Sequence, residues 1–184
     1  MRTFSCDIET DGLNPSVVWC IAVQDIHSGQ VITFSETTLG LFKPWLVSEV
    51  DCLVFHNGIS FDVPVLERLL GVVFDSIQIE DTLVLSQLDE PRREGGHSLA
   101  SWGERLGFDK GDHSDWSEFS KEMLDYCIID VKITTKLYRH MLLKELSQDA
   151  KELEYATKKH CSVQERTGWS FDLQGALVLL QNIN

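Results

Sequence analysis

Long apolar segments and targeting signals are absent from this sequence. No uncharged apolar stretch approaches the roughly 18 residues that a membrane-spanning helix needs. Met1 leads almost directly into a strand-like alternating segment, without the basic start and apolar run of a secretory signal. These absences predict a cytoplasmic protein with no membrane partner.

Cysteine and histidine are present but are not arranged as a zinc or redox site. No two cysteines have the CxxC spacing, and the histidines form no HxxxH or HExxH arrangement. The cysteines are odd in number and each has apolar neighbours, so we expect each to be a small buried core residue. They are Cys6, Cys20, Cys52, Cys127 and Cys161.

Basic side chains are few. The 16 lysines and arginines are outnumbered by 29 aspartates and glutamates, which gives a formal net charge of −13. This balance argues against tight, non-specific binding of nucleic acid. It does not exclude an enzyme that holds a strand end through bound cations, because divalent metals reverse the local field of a carboxylate-rich site.

The 184 residues are enough for one domain with a substantial core, and they contain no repeats, low-complexity tracts or long linkers. Thr3–Glu9 alternates between two faces, which predicts a strand buried on one side. Val17–Val23 and Val31–Phe34 indicate two further strands joined by a turn at His27–Gly29, and Cys52–Phe55 is a short apolar strand.

Helical spacing of apolar residues follows these strands. The pattern of strands and helices after an initial hairpin predicts an α/β domain with a mixed sheet. The predicted helices are Leu39–Val47, Asp62–Leu70, Asp81–Leu88, Ser98–Leu106, Glu118–Leu146, Asp149–Thr167 and Asp172–Ile183.

Three groups of residues carry candidate chemistry. Asp7 and Glu9 lie two apart on a strand, so both carboxylates project from one face, where they repel each other unless a cation is bound. Asp62 begins a predicted helix, where capping the helix is the alternative role. Tyr126 and Asp130 lie one helical turn apart, and a half-buried tyrosine beside a solvated aspartate is the alternative there. Oxygen ligands of this kind suit Mg²⁺ or Mn²⁺ rather than zinc.

Taken together, the segments DIETDGL, HNGISFD and YCIID resemble the three exonuclease motifs of the DEDD superfamily, which has a ribonuclease H-like fold. The tyrosine four residues before the last aspartate is typical of the DEDDy branch. The sequence is similar to the proofreading domain of family A DNA polymerases of the compact phage type. DTLVLSQL and HSLASWGERLG also resemble segments of those enzymes. The resemblance implies a mixed five-stranded sheet flanked by helices, and the host cytoplasm as location if the gene is a phage gene.

The resemblance also implies roles for single residues. Asp7, Glu9, Asp62 and Asp130 match the ligands of two Mg²⁺ or Mn²⁺ ions, and Tyr126 matches the residue that orients the attacking water. Such a site cleaves the terminal phosphodiester by in-line displacement between two cations and releases a nucleoside 5′-monophosphate. Four further positions match residues near the terminal nucleotide or the metal pair: Thr10, Leu13, Asn57 and Phe61.

The C-terminal part of the sequence supplies none of these residues. We expect residues 1–147 to form the exonuclease domain and 148–184 to form a helical extension, which resembles the start of a polymerase module. Leu153, Ala156, His160 and Val163 form an apolar stripe that must cover the exonuclease, pair with another chain or stay exposed.

Three functions remain open at this point. The first is proofreading exonuclease action on single-stranded or frayed DNA 3′ ends, with a polymerase module as partner in cis or in trans. The second is 3′ trimming of RNA by a DEDDy ribonuclease, and the third is a catalytically silent interaction module of a replisome.

Overall fold

Strands from separate parts of the chain form one mixed sheet in the computed structural model, which describes residues 1–108 and 113–183. The strands are β1 (Thr3–Thr10), β2 (Val18–Asp25), β3 (Val31–Ser35), β4 (Cys52–Phe55) and β5 (Gln78–Asp81). Their order is β3-β2-β1-β4-β5. The β1–β2 and β2–β3 pairs are antiparallel, whereas β1–β4 and β4–β5 are parallel. The predicted α/β fold with a mixed five-stranded sheet is therefore confirmed.

Every predicted helix is present, with some shifts at the ends. The first is divided into a 3₁₀ helix, Glu36–Leu41, and α1, Phe42–Glu49. The others are α2 (Asp62–Leu70), α3 (Thr82–Asp89), α4 (Leu99–Leu106), α5 (Lys121–Leu142), α6 (Gln148–Thr167) and α7 (Leu173–Ile183). None of the helices in the described residues is both long enough and apolar enough to cross a membrane.

Three of these helices have a serine as the N-cap residue. Ser98, Ser120 and Ser147 each accept a hydrogen bond from the backbone N–H three residues later, which satisfies a donor that the helix leaves open. Gly71 and Gly107 end α2 and α4 in the left-handed conformation, at φ +61° and +74°. Local capping chemistry thus fixes where the helices around the sheet begin and end.

Helices cover both faces of the sheet, so the prediction that β1 is buried on one side only is wrong. Phe4, Cys6 and Ile8 pack into the apolar cluster that includes residues of α1 and α2. On the opposite face, the Ser5 hydroxyl contacts α5 at the Val131 carbonyl (3.1 Å) and the Thr135 hydroxyl (2.6 Å). Because Asp7 and Glu9 share the face of Ser5, they point towards α5.

The helix α6 packs on this body through Tyr155, whose side chain packs against the apolar cluster that includes residues of α3 and α5, and through polar contacts. The Tyr155 hydroxyl donates to Glu80 Oε2 (2.8 Å) and accepts from the Asp81 backbone N–H (3.3 Å). Ser162, two turns further along α6, is buried and donates to the Ser60 carbonyl (3.5 Å). The helix is therefore attached to β5 and to the loop before α2.

The predicted apolar stripe of α6 is exposed, although Ala156 and Val163 also line a cavity that they share with Val63 and Pro64 of α2. Leu153 is 65% exposed and Val163 is 47% exposed. The helix α7 has no buried residue, and its apolar run from Leu177 to Leu180 is exposed as well. Of the three outcomes expected for the stripe, the described residues show exposure.

Four of the five cysteines follow the sequence prediction. Cys6, Cys20, Cys52 and Cys127 are buried, whereas Cys161 is exposed on α6. The prediction was wrong for Cys161 because the apolar spacing around it does not mark the face of α6 that packs.

Candidate active site

An open cleft of about 490 Å³ lies between β1, the loop that follows β4, the start of α2 and α5. It is lined by all five predicted catalytic residues, namely Asp7, Glu9, Asp62, Tyr126 and Asp130. Three of the four predicted substrate contacts, Leu13, Asn57 and Phe61, line it too. Thr10 does not. Its side chain is buried and its hydroxyl donates to the Gly12 carbonyl at 3.0 Å.

The first pair of carboxylates comes from the end of β1. The pairing of β1 with β2 shifts register between Glu9 and Thr10, an irregularity that is common beside active sites. Ligand atoms of Asp7, Glu9 and Cys127 lie within 4.8 Å of one another. Burial raises the pKa of the Cys127 thiol well above its usual value, so it stays protonated. Its single S–H can donate to the Asp7 backbone carbonyl (3.4 Å) or to Asp7 Oδ2 (3.5 Å), which makes it a support for Asp7 rather than a metal ligand.

Asp62 is the first residue of α2 and is almost completely buried. Burial is the main cause that raises the pKa of Asp62 to about 7, and the charges of Asp81 and Asp130 raise it further. A hydrogen bond from the Ile8 backbone opposes this rise and ties the carboxyl group to β1. Asp62 is thus linked to β1, the strand of the first motif, and lies close enough to Asp130 on α5 for the two charges to interact.

The loop between β4 and α2 presents Asn57 and Phe61. Asn57 adopts φ +66°, which asparagine tolerates better than most residues. At Gly58, a Cβ atom would lie 2.2 Å from Phe55 Cβ, so only glycine fits. Asp81 accepts hydrogen bonds from the backbone N–H groups of Asn57 (2.9 Å) and Ile59 (3.2 Å). These geometric demands explain Asn57 and Gly58 of the second motif.

Tyr126 and Asp130 both face the cleft from α5, as their spacing of four residues predicts. Asp130 is buried and Tyr126 is partly exposed. The rings of Trp116 and Tyr126 meet edge to face, with centroids 6.0 Å apart. Trp116 is held in turn by Trp19, whose indole N–H donates to the Trp116 carbonyl at 3.0 Å.

Three residues at this site were missed by the sequence prediction. Trp116 and His56 line the cleft, and Asp81 holds the loop before Asp62. His56 begins the second motif, and this place in the motif is the signal in the sequence that could identify it. His56 Nδ1 lies 2.9 Å from the Thr82 hydroxyl. Trp116 has no helical or strand-like spacing to any catalytic residue, and nothing in the sequence pattern marks it.

Leu13 projects into the opening of the cleft and is 94% exposed. Its loop is nevertheless well fixed. Asp11 accepts from the backbone N–H groups of Ser16 (2.8 Å) and Val17 (3.0 Å), and Arg68 donates to the Pro15 carbonyl (2.6 Å). A well-fixed loop with an exposed apolar side chain is suited to contact a flat ligand such as a base.

The chain resembles known proteins along most of its length. Residues 5–113 match a family model described as the RNase H superfamily. The DNA-directed DNA polymerase of Escherichia phage T7 is 27% identical over 90% of this chain and 33% of that protein, and the polymerase of Enterobacteria phage T3 gives the same values. The chain therefore spans about a third of the length of these curated relatives.

Solved structures share the fold at low sequence identity. NrnC of Brucella melitensis with bound Mg²⁺ has a TM-score of 0.68 and 20% identity, over 94% of this chain and 90% of that chain. Phi29 DNA polymerase complexed with single-stranded DNA has a TM-score of 0.53 and 17% identity, over 80% of this chain and 32% of that chain. With a family match over more than half of its residues, the chain belongs to the RNase H superfamily.

Proposed function

We propose that this chain is a metal-dependent 3′–5′ exonuclease that removes nucleoside 5′-monophosphates from the 3′ ends of DNA. One observation carries the proposal. Carboxylates from three distant segments, Asp7 with Glu9, Asp62 and Asp130, line one cleft together with the Tyr126 phenol. Such a set has the composition needed to cleave a phosphodiester by cation-assisted displacement.

The donor set fits Mg²⁺ or Mn²⁺. All four proposed ligands are carboxylates, the type of ligand that hard divalent cations prefer. The raised pKa of Asp62 shows that burial and like charges disfavour its ionised form in the protein alone. Two cations held by Asp7, Glu9, Asp62 and Asp130 would remove this repulsion and would supply water activation and stabilisation of the leaving oxygen.

The other side chains of the cleft orient the reactants. The Tyr126 hydroxyl and the Glu9 carboxylate would hold the attacking water in line with the terminal phosphorus. Leu13 and Phe61 would contact the terminal base, and Asn57 would contact the terminal nucleotide. Positioning of this kind lowers the barrier because the reacting atoms are brought together before the chemical step.

The relatives favour DNA and a role in proofreading. The T7 and T3 proteins are DNA-directed DNA polymerases, and this chain matches about a third of their length. We therefore propose that frayed or single-stranded DNA 3′ ends are the substrate, and that a polymerase module, in cis or in trans, is the partner. Residues 148–184 would then be the extension that connects the exonuclease domain to that module.

The test compares end-labelled DNA and RNA oligonucleotides of one sequence, each with Mg²⁺, with Mn²⁺ and with excess EDTA. We expect mononucleotides to be released from the 3′ end of DNA only when a divalent metal is present. Activity that persists in EDTA, or loss of the 5′ label first, would contradict the proposal. Faster cleavage of the RNA would replace the DNA assignment by RNA trimming.

Two substitutions test the assigned roles. Asp7→Ala should abolish activity and weaken metal binding in calorimetry, because it removes a proposed ligand. Tyr126→Phe should lower kcat by about 10²-fold and leave metal binding intact, because only a positioning hydroxyl is lost. Glu104→Ala, at an exposed position of α4, is the control for loss of one carboxylate and should behave as wild type. Unchanged metal binding in Asp7→Ala would refute the ligand assignment.

A further inference from the structure

A second cavity of about 850 Å³ adjoins the catalytic cleft. Leu13 and Phe61 line both spaces, so the two are continuous at the side chains proposed to contact the terminal base. The second cavity contains none of the proposed metal ligands. It is large enough for a nucleotide unit beyond the one at the catalytic carboxylates.

One wall of this cavity is provided by the C-terminal extension. Arg166, in the last turn of α6, lines it opposite residues of the β1–β2 loop and of α2. Its helix is attached to the body one turn earlier, where the buried Ser162 donates to the carbonyl of Ser60 (3.5 Å). Ser60 itself lines the cavity. The position of Arg166 is therefore set by contacts that also shape the loop of the second motif.

The chemistry of the cavity suits a nucleic-acid strand. Arg68 and Arg166 contribute two guanidinium groups, while Glu67 is the one acid among its described lining residues. Arg68 uses one N–H for the Pro15 carbonyl, which leaves other donors of its guanidinium group. Beside these charges lie apolar surfaces of Pro15, Phe61 and others, on which a base can rest. The chain as a whole has a net charge of −13, so two arginines in one cavity make this place locally positive and favour the binding of an anion.

We propose that this cavity binds the nucleotide that precedes the terminal one in a single strand, and that Arg166 is a ligand of its phosphate. The inference rests on the proposed function, because it takes the catalytic cleft as the site of the 3′-terminal nucleotide. The extension after residue 147 then supplies part of the substrate site, although it contains no catalytic residue. Substrates with at least two nucleotides use the cavity, whereas a mononucleotide is expected in the catalytic cleft, where the proposed cations would bind its phosphate.

The experiment measures binding without cleavage, with Ca²⁺ in place of Mg²⁺. A fluorescent oligothymidylate probes both spaces, and thymidine 5′-monophosphate, added as a competitor, probes the catalytic cleft alone. Arg166→Ala should raise the Kd of the oligothymidylate about fivefold to tenfold, as loss of one charge-assisted contact would. The slope of log affinity against log salt should fall by about 0.7, the value for one phosphate on a single strand. Binding of the monophosphate should not change, and Arg166→Lys should keep part of the affinity.

Arg92→Ala is the matched control, since it removes an exposed arginine that lines neither space. An unchanged oligothymidylate Kd in Arg166→Ala would overturn the inference. So would an equal loss of affinity for the monophosphate, because that would place Arg166 at the catalytic cleft or give it a structural role. The proposed function is judged separately by cleavage with Mg²⁺. A wild type that binds the strand but does not cleave it refutes the function and leaves the cavity assignment standing.

Discussion

Asp81 holds the loop of the second motif through its two carboxylate oxygens. Oδ1 accepts from the backbone N–H groups of Asn57 (2.9 Å) and Leu83 (3.0 Å), and Oδ2 accepts from that of Ile59 (3.2 Å). Burial raises the pKa of Asp81, and the three backbone hydrogen bonds oppose the rise. The residue thus joins the end of β5, the start of α3 and the loop that leads to Asp62.

We predict that Asp81→Asn lowers kcat/KM for DNA about tenfold and destabilises the fold by about 1 to 3 kcal/mol. An amide has only one acceptor oxygen, so one of the buried N–H groups of the loop would lose its partner. Steady-state kinetics and thermal unfolding measure the two effects. Asp89→Asn removes a carboxylate at the other end of α3 and should leave kcat/KM unchanged. If Asp81→Asn lost stability but kept its kcat/KM, the loop would be positioned by other contacts.

At the scale of elements, apolar periodicity located the strands and helices that bury apolar side chains. It did not locate β5, because Gln78–Asp81 has a single apolar residue and exists as a strand through its pairing with β4. The pattern predicts Asp81 as part of the following helix, whereas Asp81 ends β5 and caps α3. The packed face of α6 was missed for a related reason. Tyr155 and Ser162 attach it partly through hydrogen bonds, which hydropathy does not detect.

The division at residue 147 leads to a prediction for α6 and α7. A chain that ends after Ser147 keeps every proposed catalytic residue and the whole sheet, so we expect it to fold and to remain a metal-dependent nuclease. It should be less stable than the full chain, because the buried Glu80 loses the Tyr155 hydroxyl. It should also self-associate less, because the exposed apolar residues of both helices are gone.

Nuclease activity, thermal unfolding and light-scattering mass of the two chains check this prediction. Tyr155→Phe in the full chain separates the effects, since it removes the hydrogen bond and keeps both helices. It should lower stability without changing the mass in solution. A truncated chain that does not fold would show that α6 belongs to the core of the exonuclease domain, and that the proposed boundary lies too early.

At the scale of the whole molecule, the five residues proposed for catalysis were found from three short motifs, and the fold brings them to one cleft. Some of the residues that surround these five could not be predicted from the sequence. Trp116 lines the cleft and is held there by a hydrogen bond from Trp19 of β2, and Arg166 reaches the neighbouring cavity through the docking of α6. Such positions depend on how distant elements pack, and no local spacing encodes them.

The concentration of carboxylates in one buried place also makes stability depend on pH and metal. Burial, with the charges of Asp81 and Asp130, raises the pKa of Asp62 to about 7, whereas an unfolded aspartate titrates near pH 3.9. Between these values the folded chain binds a proton that the unfolded chain releases. The free energy of unfolding of the metal-free protein should therefore fall as pH rises from about 4 to about 7, by up to about 1.4 kcal/mol per pH unit.

We predict that metal-free protein melts at a lower temperature at pH 8 than at pH 6, and that Mg²⁺ raises the melting temperature more at pH 8. The cation would offset the charge repulsion that ionised Asp62 suffers, and it would compete with the proton at lower pH. Asp62→Asn removes the titrating group, so in metal-free buffer this variant should be more stable than wild type at pH 8, with a smaller difference at pH 6. Calorimetric melting of both proteins at the two pH values, with Mg²⁺ and with EDTA, measures this. If metal-free wild type instead became more stable as pH rose from 6 to 8, Asp62 would not be the group that limits its stability.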